Sequence, residues 1–180
     1  MRYGQIRKYD IANGPGIRCS LFVTGCRRHC KGCFNEEYQS FQAGKEFDEE
    51  AFQELLGYYI NPNVTGLTIL GGEPFEPENT QTLCETIIRL KKTIWKPVWI
   101  YSGYTLEELM EWGNVKLDYI TKEELYRTAL LGLCEVLVDG EFNESLKDPS
   151  LRFRGSSNQR IIVVRESIET GHAVLWKDRF

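Results

Sequence analysis

The sequence lacks the features that would place the protein in a membrane or outside the cell. No run approaches the roughly 18 to 20 consecutive apolar residues that a membrane-spanning helix needs. The first residues, Met1-Arg2-Tyr3-Gly4-Gln5, do not contain the apolar core of a signal peptide. We therefore predict a protein of the cytoplasm that has no membrane partner.

Repeats, linkers and low-complexity segments are absent as well. The chain has 180 residues, of which 42% are hydrophobic, enough for one well-buried core and too few for two comfortable domains. We predict a single domain over residues 1–180.

A surplus of positive charge is also missing. The chain carries 22 Lys and Arg against 26 Asp and Glu, a formal net charge of −4. Because neutralising nucleic-acid phosphates requires clustered Lys and Arg in excess, we expect no nucleic-acid partner.

Six cysteines are present, but their spacing is uneven and does not form a disulfide framework. In a reducing cytoplasm they stay as thiols. Three of them fall on apolar stripes of predicted strands and helices, where a free cysteine behaves as a small hydrophobe. We predict that these three, Cys19, Cys84 and Cys134, belong to the core.

The other three cysteines lie close together in the stretch from Gly25 to Asn35. Cys26, Cys30 and Cys33 are spaced so that a loop can turn their sulfurs toward one point, and thiolates are the usual ligands of iron–sulfur clusters. Three ligands leave one iron of a four-iron cluster free to bind something else. Two alternatives stay open at this point: a structural zinc site, which needs a fourth ligand such as His29 or a distant cysteine, and unrelated buried thiols.

Apolar strand patterns alternate with amphipathic helix patterns along the chain. We predict strands at Ile17–Thr24, Gly66–Leu70, Val98–Tyr101, Cys134–Val138 and Gln159–Val164, with a short edge strand at Ala173–Trp176. Predicted helices follow an N-cap at Asp48, span Leu83 to Lys92, and begin at two capping boxes, Thr105-x-x-Glu108 and Thr121-x-x-Glu124. This order predicts an α/β fold with a mostly parallel sheet and right-handed crossovers.

Unusual residues follow four of the predicted strands. The cysteine loop follows the first, and the turns Gly71-Gly72-Glu73-Pro74, Tyr101-Ser102-Gly103 and Asp139-Gly140 follow the next three. Since ligands gather at the carboxyl ends of parallel strands, we expect these segments to share one edge of the sheet. The glycines allow close backbone approach, and Glu73 is an acceptor suited to an ammonium group.

A three-cysteine loop together with a Gly-Gly-Glu turn resembles the radical S-adenosylmethionine (SAM) superfamily. Further sequence strings narrow the resemblance to activating proteins of anaerobic ribonucleotide reductase. These strings occur in the same order as in that family, from about Asp10 to Val164. These strings are Asn13-Gly14-Pro15-Gly16-Ile17-Arg18-Cys19, the cysteine loop, Tyr101-Ser102-Gly103-Tyr104, Val136-Leu137-Val138-Asp139-Gly140, and Leu151 through Gln159. Gly32 departs from the wider superfamily, where an aromatic residue is common, but this narrower family tolerates it.

The resemblance implies a single-domain partial (βα) barrel, a shortened radical SAM core, that binds a [4Fe-4S] cluster and SAM. A one-electron donor such as flavodoxin reduces the cluster, SAM is cleaved to methionine and a 5′-deoxyadenosyl radical, and the radical removes a Cα hydrogen from a glycine of the large subunit of the anaerobic reductase. The cofactor supplies the difficult chemistry, so no catalytic side chain is implied beyond the cluster ligands.

The resemblance also implies roles for individual residues. Cys26, Cys30 and Cys33 would ligate the cluster. SAM contacts would come from the Gly-Gly-Glu turn, from the backbone of the cysteine loop, and from two strand ends that contact the ribose or carboxylate: Gly71, Gly72, Glu73, Gly32, Cys33, Phe34, Ser102 and Asp139.

Three rival functions remain open at the level of the sequence. The chain could activate another glycyl-radical enzyme, or it could be a radical SAM enzyme that acts on a small molecule. A third possibility is an electron-transfer or zinc-binding module without turnover, which predicts a fourth protein ligand. The basic loop around Arg152 and Arg154 is equally compatible with a solvated turn and with a role at the SAM site or in docking the reductase.

Overall fold

A seven-stranded sheet forms the centre of the computed structural model, which describes residues 1–111 and 120–177. The strands are β1 (Arg2–Asp10), β2 (Arg18–Val23), β3 (Lys45–Glu46), β4 (Gly66–Gly71), β5 (Val98–Tyr101), β6 (Val136–Asp139) and β7 (Arg160–Val163). Their spatial order is β3-β1-β2-β4-β5-β6-β7. The four neighbours β2, β4, β5 and β6 pair in parallel, which confirms the predicted mixed α/β class with a mostly parallel sheet.

Helices connect the parallel strands, as the alternating pattern predicts. They are α1 (Glu49–Tyr59), α2 (Pro77–Thr93), α3 (Leu106–Glu111) and α4 (Lys122–Leu133), and a further helix, α5 (Val164–Thr170), follows β7. The Asp48 side chain caps α1 by accepting from Ala51 N at 3.0 Å, and Thr121 opens α4 with a full capping box. These caps satisfy backbone N–H groups that have no partner within the helix, so the predicted starts of both helices are confirmed.

The two faces of the sheet bury different side chains. Successive strand residues point to opposite faces, so Ile100 and Leu137 join the large cluster formed with the helices, whereas Trp99 and Val138 pack with Phe153 on the other face. Three buried thiols belong to the helix-side cluster, at Cys19, Cys84 and Cys134. The prediction that they are core residues is confirmed.

The carboxyl ends of the four parallel strands lie side by side. Val23 at the end of β2 pairs with Gly71 at the end of β4, and Tyr101 at the end of β5 pairs with Val138 in β6. The segments that follow these strands therefore begin along one edge of the sheet. This arrangement confirms the predicted location of the unusual residues.

Several predicted elements differ from the structure. β6 begins at Val136, because α4 runs to Leu133 and Cys134 then caps it, donating its N–H to Leu131 O at 3.1 Å. Strand β7 pairs antiparallel with β6. The predicted edge strand near the C-terminus contributes only one bridge, between Leu175 and Ile162.

Two elements at the ends of the chain were not predicted. β1 was missed because Arg2–Asp10 is largely polar and buries only Tyr3 and Asp10, and α5 follows β7 directly without a turn signal. The outer strands β3 and β7 are not paired with each other in the described ranges, so the predicted partial barrel is not confirmed by the strand order. No helix in the described ranges is both long and apolar enough to cross a bilayer.

Candidate functional site

The cysteine loop begins at the end of β2 and crosses the edge where the parallel strands end. Cys26, Cys30 and Cys33 are unpaired, half-buried thiols. The loop is attached at its start by backbone bonds, from Gly25 N to Tyr38 O at 2.8 Å and from Cys26 N to Gln39 O at 2.9 Å. These bonds hold the start of the loop against the residues that follow it.

All three loop thiols line one cavity of about 370 Å³. Burial raises the pKa of Cys26, and burial together with the charge of Glu141 raises the pKa of Cys30 to about 11. Within the described residues, no three Cys, His, Asp or Glu side chains converge as a metal site. A bound metal would have to draw the sulfurs together and take them as thiolates.

The Gly-Gly-Glu turn lies directly against the start of the cysteine loop. Gly72 N donates to Val23 O at 2.8 Å, and Glu73 N donates to Gly25 O at 2.8 Å. A Cβ atom on Gly72 would lie 2.5 Å from Gly25 O, and Gly71 adopts φ +109. Glycine is required at Gly71 because of its backbone conformation, and at Gly72 because of this close approach.

Glu73 is a buried carboxylate that receives hydrogen bonds from neutral donors. Its Oε1 accepts from Phe75 N at 3.0 Å and Ser102 Oγ at 2.9 Å, and its Oε2 accepts from Gly103 N at 2.7 Å. Burial raises the pKa of Glu73 to about 7 despite these bonds. A carboxylate has about four acceptor positions, so three donors leave room for one more.

Buried carboxylates near this edge differ in their charge partners. Glu76 pairs with Arg27, and Asp139 pairs with Arg160 at 2.5 Å. Glu73 makes no ion pair with any described residue. An ammonium group from a ligand would supply the cationic partner that the protein gives to the other two carboxylates.

Ser102 lines the cavity, but its hydroxyl group is already engaged by protein atoms. It donates to Glu73 and accepts from Tyr104 N at 3.0 Å. Phe34 also lines the cavity, with its side chain largely exposed and its ring 5.0 Å from the ring of Phe142. These contacts place Ser102 beside Glu73 at the cavity wall and Phe34 at the cavity mouth.

The structure does not bring Asp139 and Gly32 to the cavity lining. Asp139 Oδ1 accepts from Arg160 Nε at 3.0 Å, and its Oδ2 accepts from Leu106 N at 2.8 Å. Its carboxylate thus joins β7 to the start of α3. Gly32 is exposed with φ +71, and a Cβ there would lie 2.8 Å from a Glu144 carboxylate oxygen.

Part of the loop between β6 and β7 also lines the cavity, which the site prediction had not assigned. Arg154 Nη1 donates to Gln159 O at 2.7 Å, and Gln159 Oε1 accepts from Gly155 N at 2.8 Å. Both side chains border the cavity, as does Arg28 in the cysteine loop. The basic string around Arg154 was the only sequence signal for this contribution.

The two histidines lie outside the ligand set suggested by the geometry. His29 is exposed, and its Nδ1 lies 3.1 Å from Gln39 Oε1. His172 is exposed near the C-terminus, with its Nδ1 3.1 Å from Thr170 O. Neither ring is among the residues that line the cavity.

The residues fit an iron–sulfur cluster together with an amino-acid ligand. Three soft thiol donors of one loop face the same cavity. The glycine turn leaves space where side chains would block approach. Glu73 is a buried carboxyl group without a cationic partner among the described residues. These features together are those of an iron–sulfur protein.

Comparison with known proteins agrees with this class. A model described as a 4Fe-4S single cluster domain matches residues 12–162. The chain is 38% identical over 164 residues to the anaerobic ribonucleoside-triphosphate reductase-activating protein of Haemophilus influenzae, covering 89% of this chain and 97% of that relative. It is 34% identical over 162 residues to the protein of the same name from Escherichia coli strain K12, covering 88% and 96%.

A more distant relative carries the same name in enterobacteria phage T4. It is 31% identical over 162 residues, covering 89% of this chain and 93% of that protein. The chain belongs to the family of anaerobic ribonucleoside-triphosphate reductase-activating proteins, as the sequence resemblance predicted.

Replacing any one of the three loop cysteines by Ala is expected to prevent assembly of a stable four-iron cluster, because each is predicted to supply one of its three thiolate ligands. Matched controls are Cys19→Ala, Cys84→Ala and Cys134→Ala, which should retain the cluster and cost on the order of 1 kcal/mol of stability. Iron and sulfide analysis after anaerobic reconstitution measures the first effect, and urea unfolding the second. A control variant that folds yet loses the cluster would show that the ligand set is wrong.

Glu73 should make the stability of the cluster-free protein depend on pH. Its pKa is about 7 in the folded state against a reference value of 4.5, so the folded state retains a proton that the unfolded state loses. The contribution of Glu73 to the free energy of unfolding therefore falls as the pH rises from about 4.5 to 7. In urea unfolding between pH 5 and 8, the wild type should lose stability relative to Glu73→Gln as pH increases. A constant difference between the two proteins would contradict a raised pKa.

Proposed function

We propose that this chain is a SAM-dependent activase that generates the glycyl radical of an anaerobic ribonucleotide reductase, a glycyl-radical enzyme-activating oxidoreductase. The observation that carries the proposal is the single cavity shared by three loop thiols, the Gly-Gly-Glu turn and the Arg154–Gln159 segment. The family relationship supports the same reading, since the relatives are named for activating this reductase.

Within this proposal, the three cysteines hold a [4Fe-4S] cluster and leave one iron to SAM. The chemistry that the bound cluster supplies is one-electron reductive cleavage of SAM, with the electron coming from an external donor such as flavodoxin. The 5′-deoxyadenosyl radical formed from SAM would then take a Cα hydrogen atom from a glycine of the large subunit of the reductase, leaving 5′-deoxyadenosine and the glycyl radical.

Glu73 is assigned to the ammonium group of SAM. The carboxylate is buried and held in one orientation by the Ser102 hydroxyl group and by the backbone N–H groups of Phe75 and Gly103. No cationic side chain among the described residues pairs with it. Gly71 and Gly72 let the ligand approach the turn without meeting a side chain. Ser102 contributes by orienting Glu73, while a direct SAM contact from Asp139 has no support in its hydrogen bonds.

Access to the cavity favours a protein substrate over a small molecule. Phe34 is 62% exposed at the mouth, and the three cysteines of the loop beside it are only half-buried. Radical intermediates need shielding from water, and the reductase loop that carries the glycine would provide it. We place this reaction in the cytoplasm, in a single domain whose sheet is a partial barrel around the cavity.

Replacing Glu73 should weaken SAM binding and leave the cluster in place. Losing a charged acceptor for a buried ammonium costs about 1 to 3 kcal/mol, which corresponds to a roughly five- to 150-fold higher Kd. Glu73→Gln and Glu73→Ala would be compared with the exposed control Glu36→Gln by titrating SAM into reconstituted protein. Unchanged affinity in both Glu73 variants would remove this residue from the SAM site.

The identity of the radical acceptor tests the function itself. The reduced protein with SAM should produce a glycyl-radical EPR signal in an anaerobic ribonucleotide reductase and none in pyruvate formate-lyase. Slow SAM cleavage without a partner is compatible with the proposal. Efficient SAM cleavage coupled to a small molecule, without a glycyl signal in the reductase, would contradict it.

A further inference from the structure

Five ion pairs attach the cysteine loop to the segments that follow β4, β5 and β6. They join Arg27 to Glu76 and Glu78, Arg28 to Glu108 and Glu141, and Lys31 to Glu144. Four of the five carboxylates have side chains between 47% and 51% exposed, whereas that of Glu76 is 1% exposed. Exposed pairs contribute little to stability because water screens them, so Glu76 stands apart from the others.

Both carboxylate oxygens of Glu76 contact the residue that directly follows Cys26. Oε1 accepts from the backbone N–H of Arg27 at 2.9 Å, and Oε2 pairs with the Arg27 guanidinium. The guanidinium also lies over the ring of Phe41, with its carbon 4.3 Å from the ring centre. Glu76 therefore fixes the backbone and the side chain of the same loop residue.

Because the Glu76 side chain contacts Arg27, it does not cap the helix that Glu76 begins. Glu76 is the N-cap of α2, a position usually taken by Ser, Thr, Asp or Asn, and it makes no side-chain capping bond there. Pro77 follows at the first helical position, where its missing N–H costs nothing. A residue that breaks a local rule while contacting a neighbouring loop is typical of a functional site.

Glu76 also belongs to the turn that carries Glu73. Glu76 N donates to Glu73 O at 3.2 Å, and the Asn79 amide joins Glu73 O to Thr24 O, with both distances 3.0 Å. The turn and the start of the cysteine loop are thereby connected through backbone and side-chain bonds. Movement of Arg27 would shift Cys26 relative to Glu73.

We propose that Glu76 is a positioning residue, which holds Cys26 in place for cluster binding and sets its distance from the SAM-binding turn. The inference rests on the proposed function, because it assumes a cluster at the three cysteines. Glu76 acts through Arg27 and is not among the residues that line the cavity.

The test compares Glu76→Gln with Glu78→Gln, since both remove one carboxylate from Arg27 but only Glu76 is buried. In the cluster-free protein, iodoacetamide should alkylate Cys26 roughly fivefold faster in Glu76→Gln than in the wild type, with Cys33 in the same chain as an internal reference. In the reconstituted protein, an iron chelator should remove iron faster by a similar factor. Glu78→Gln should stay within about twofold of the wild type in both rates.

The change that SAM causes in the EPR spectrum of the reduced cluster distinguishes positioning from a purely structural role, because a purely structural role would leave its dependence on SAM concentration unchanged. It should require a higher SAM concentration in Glu76→Gln, at an iron content equal to that of the wild type. The proposal is overturned if any of these three quantities is unchanged in Glu76→Gln, or if Glu78→Gln matches it. A wild-type protein that takes up no cluster would instead refute the proposed function, and the alkylation rates alone would then decide the role of Glu76.

Discussion

The close contact between the ends of β2 and β4 constrains the rest of the site. Six residue pairs keep these strands in parallel register, so Val23 and Gly71 finish side by side. Glu73 N then reaches Gly25 O, at a distance that is possible only because Gly72 has no side chain. The cysteine loop and the Gly-Gly-Glu turn are consequently one hydrogen bond apart, and neither can move far without the other.

The charged side chains at this edge of the sheet differ in whether they have a partner of opposite charge. Basic residues of the cysteine loop pair with carboxylates from three neighbouring segments, and the buried carboxylates Glu76 and Asp139 each have an arginine partner. Glu73 has only neutral donors among the described residues, and burial raises the pKa of its carboxyl group to about 7. Burying a carboxylate without a cation is costly, so Glu73 is the position at which a cationic ligand gains the most.

The elements that the sequence predicted are those with strong local signals. Thr121 and Glu124 define a helix start by themselves, and Val98–Tyr101 is a short apolar run bounded by turns. Strand β1 depends on pairing with β2 and carries mostly polar residues, so no periodicity identifies it. The direction of β7 is set by long-range pairing with β6, which the polar loop before it does not encode.

The candidate site was predictable to a similar extent. The cysteines and the glycine turn have specific spacing, and their shared edge follows from parallel strands. Two other contacts join residues that are distant in the sequence. Arg160 donates a hydrogen bond to Asp139, and Glu76 is buried against the cysteine loop, almost fifty residues earlier. Because glutamate is almost never fully buried unless it is paired, and Arg27 lies far away in the sequence, the burial of Glu76 could not be predicted.

Mössbauer spectroscopy of the reconstituted protein with and without SAM tests the central claim most directly, namely that three cysteines hold the cluster and one iron is open to SAM. If three cysteines hold the cluster, SAM should change the isomer shift of one iron out of about four and leave the others as they were. Four equivalent irons that do not respond to SAM would contradict it, because that result requires a fourth protein ligand.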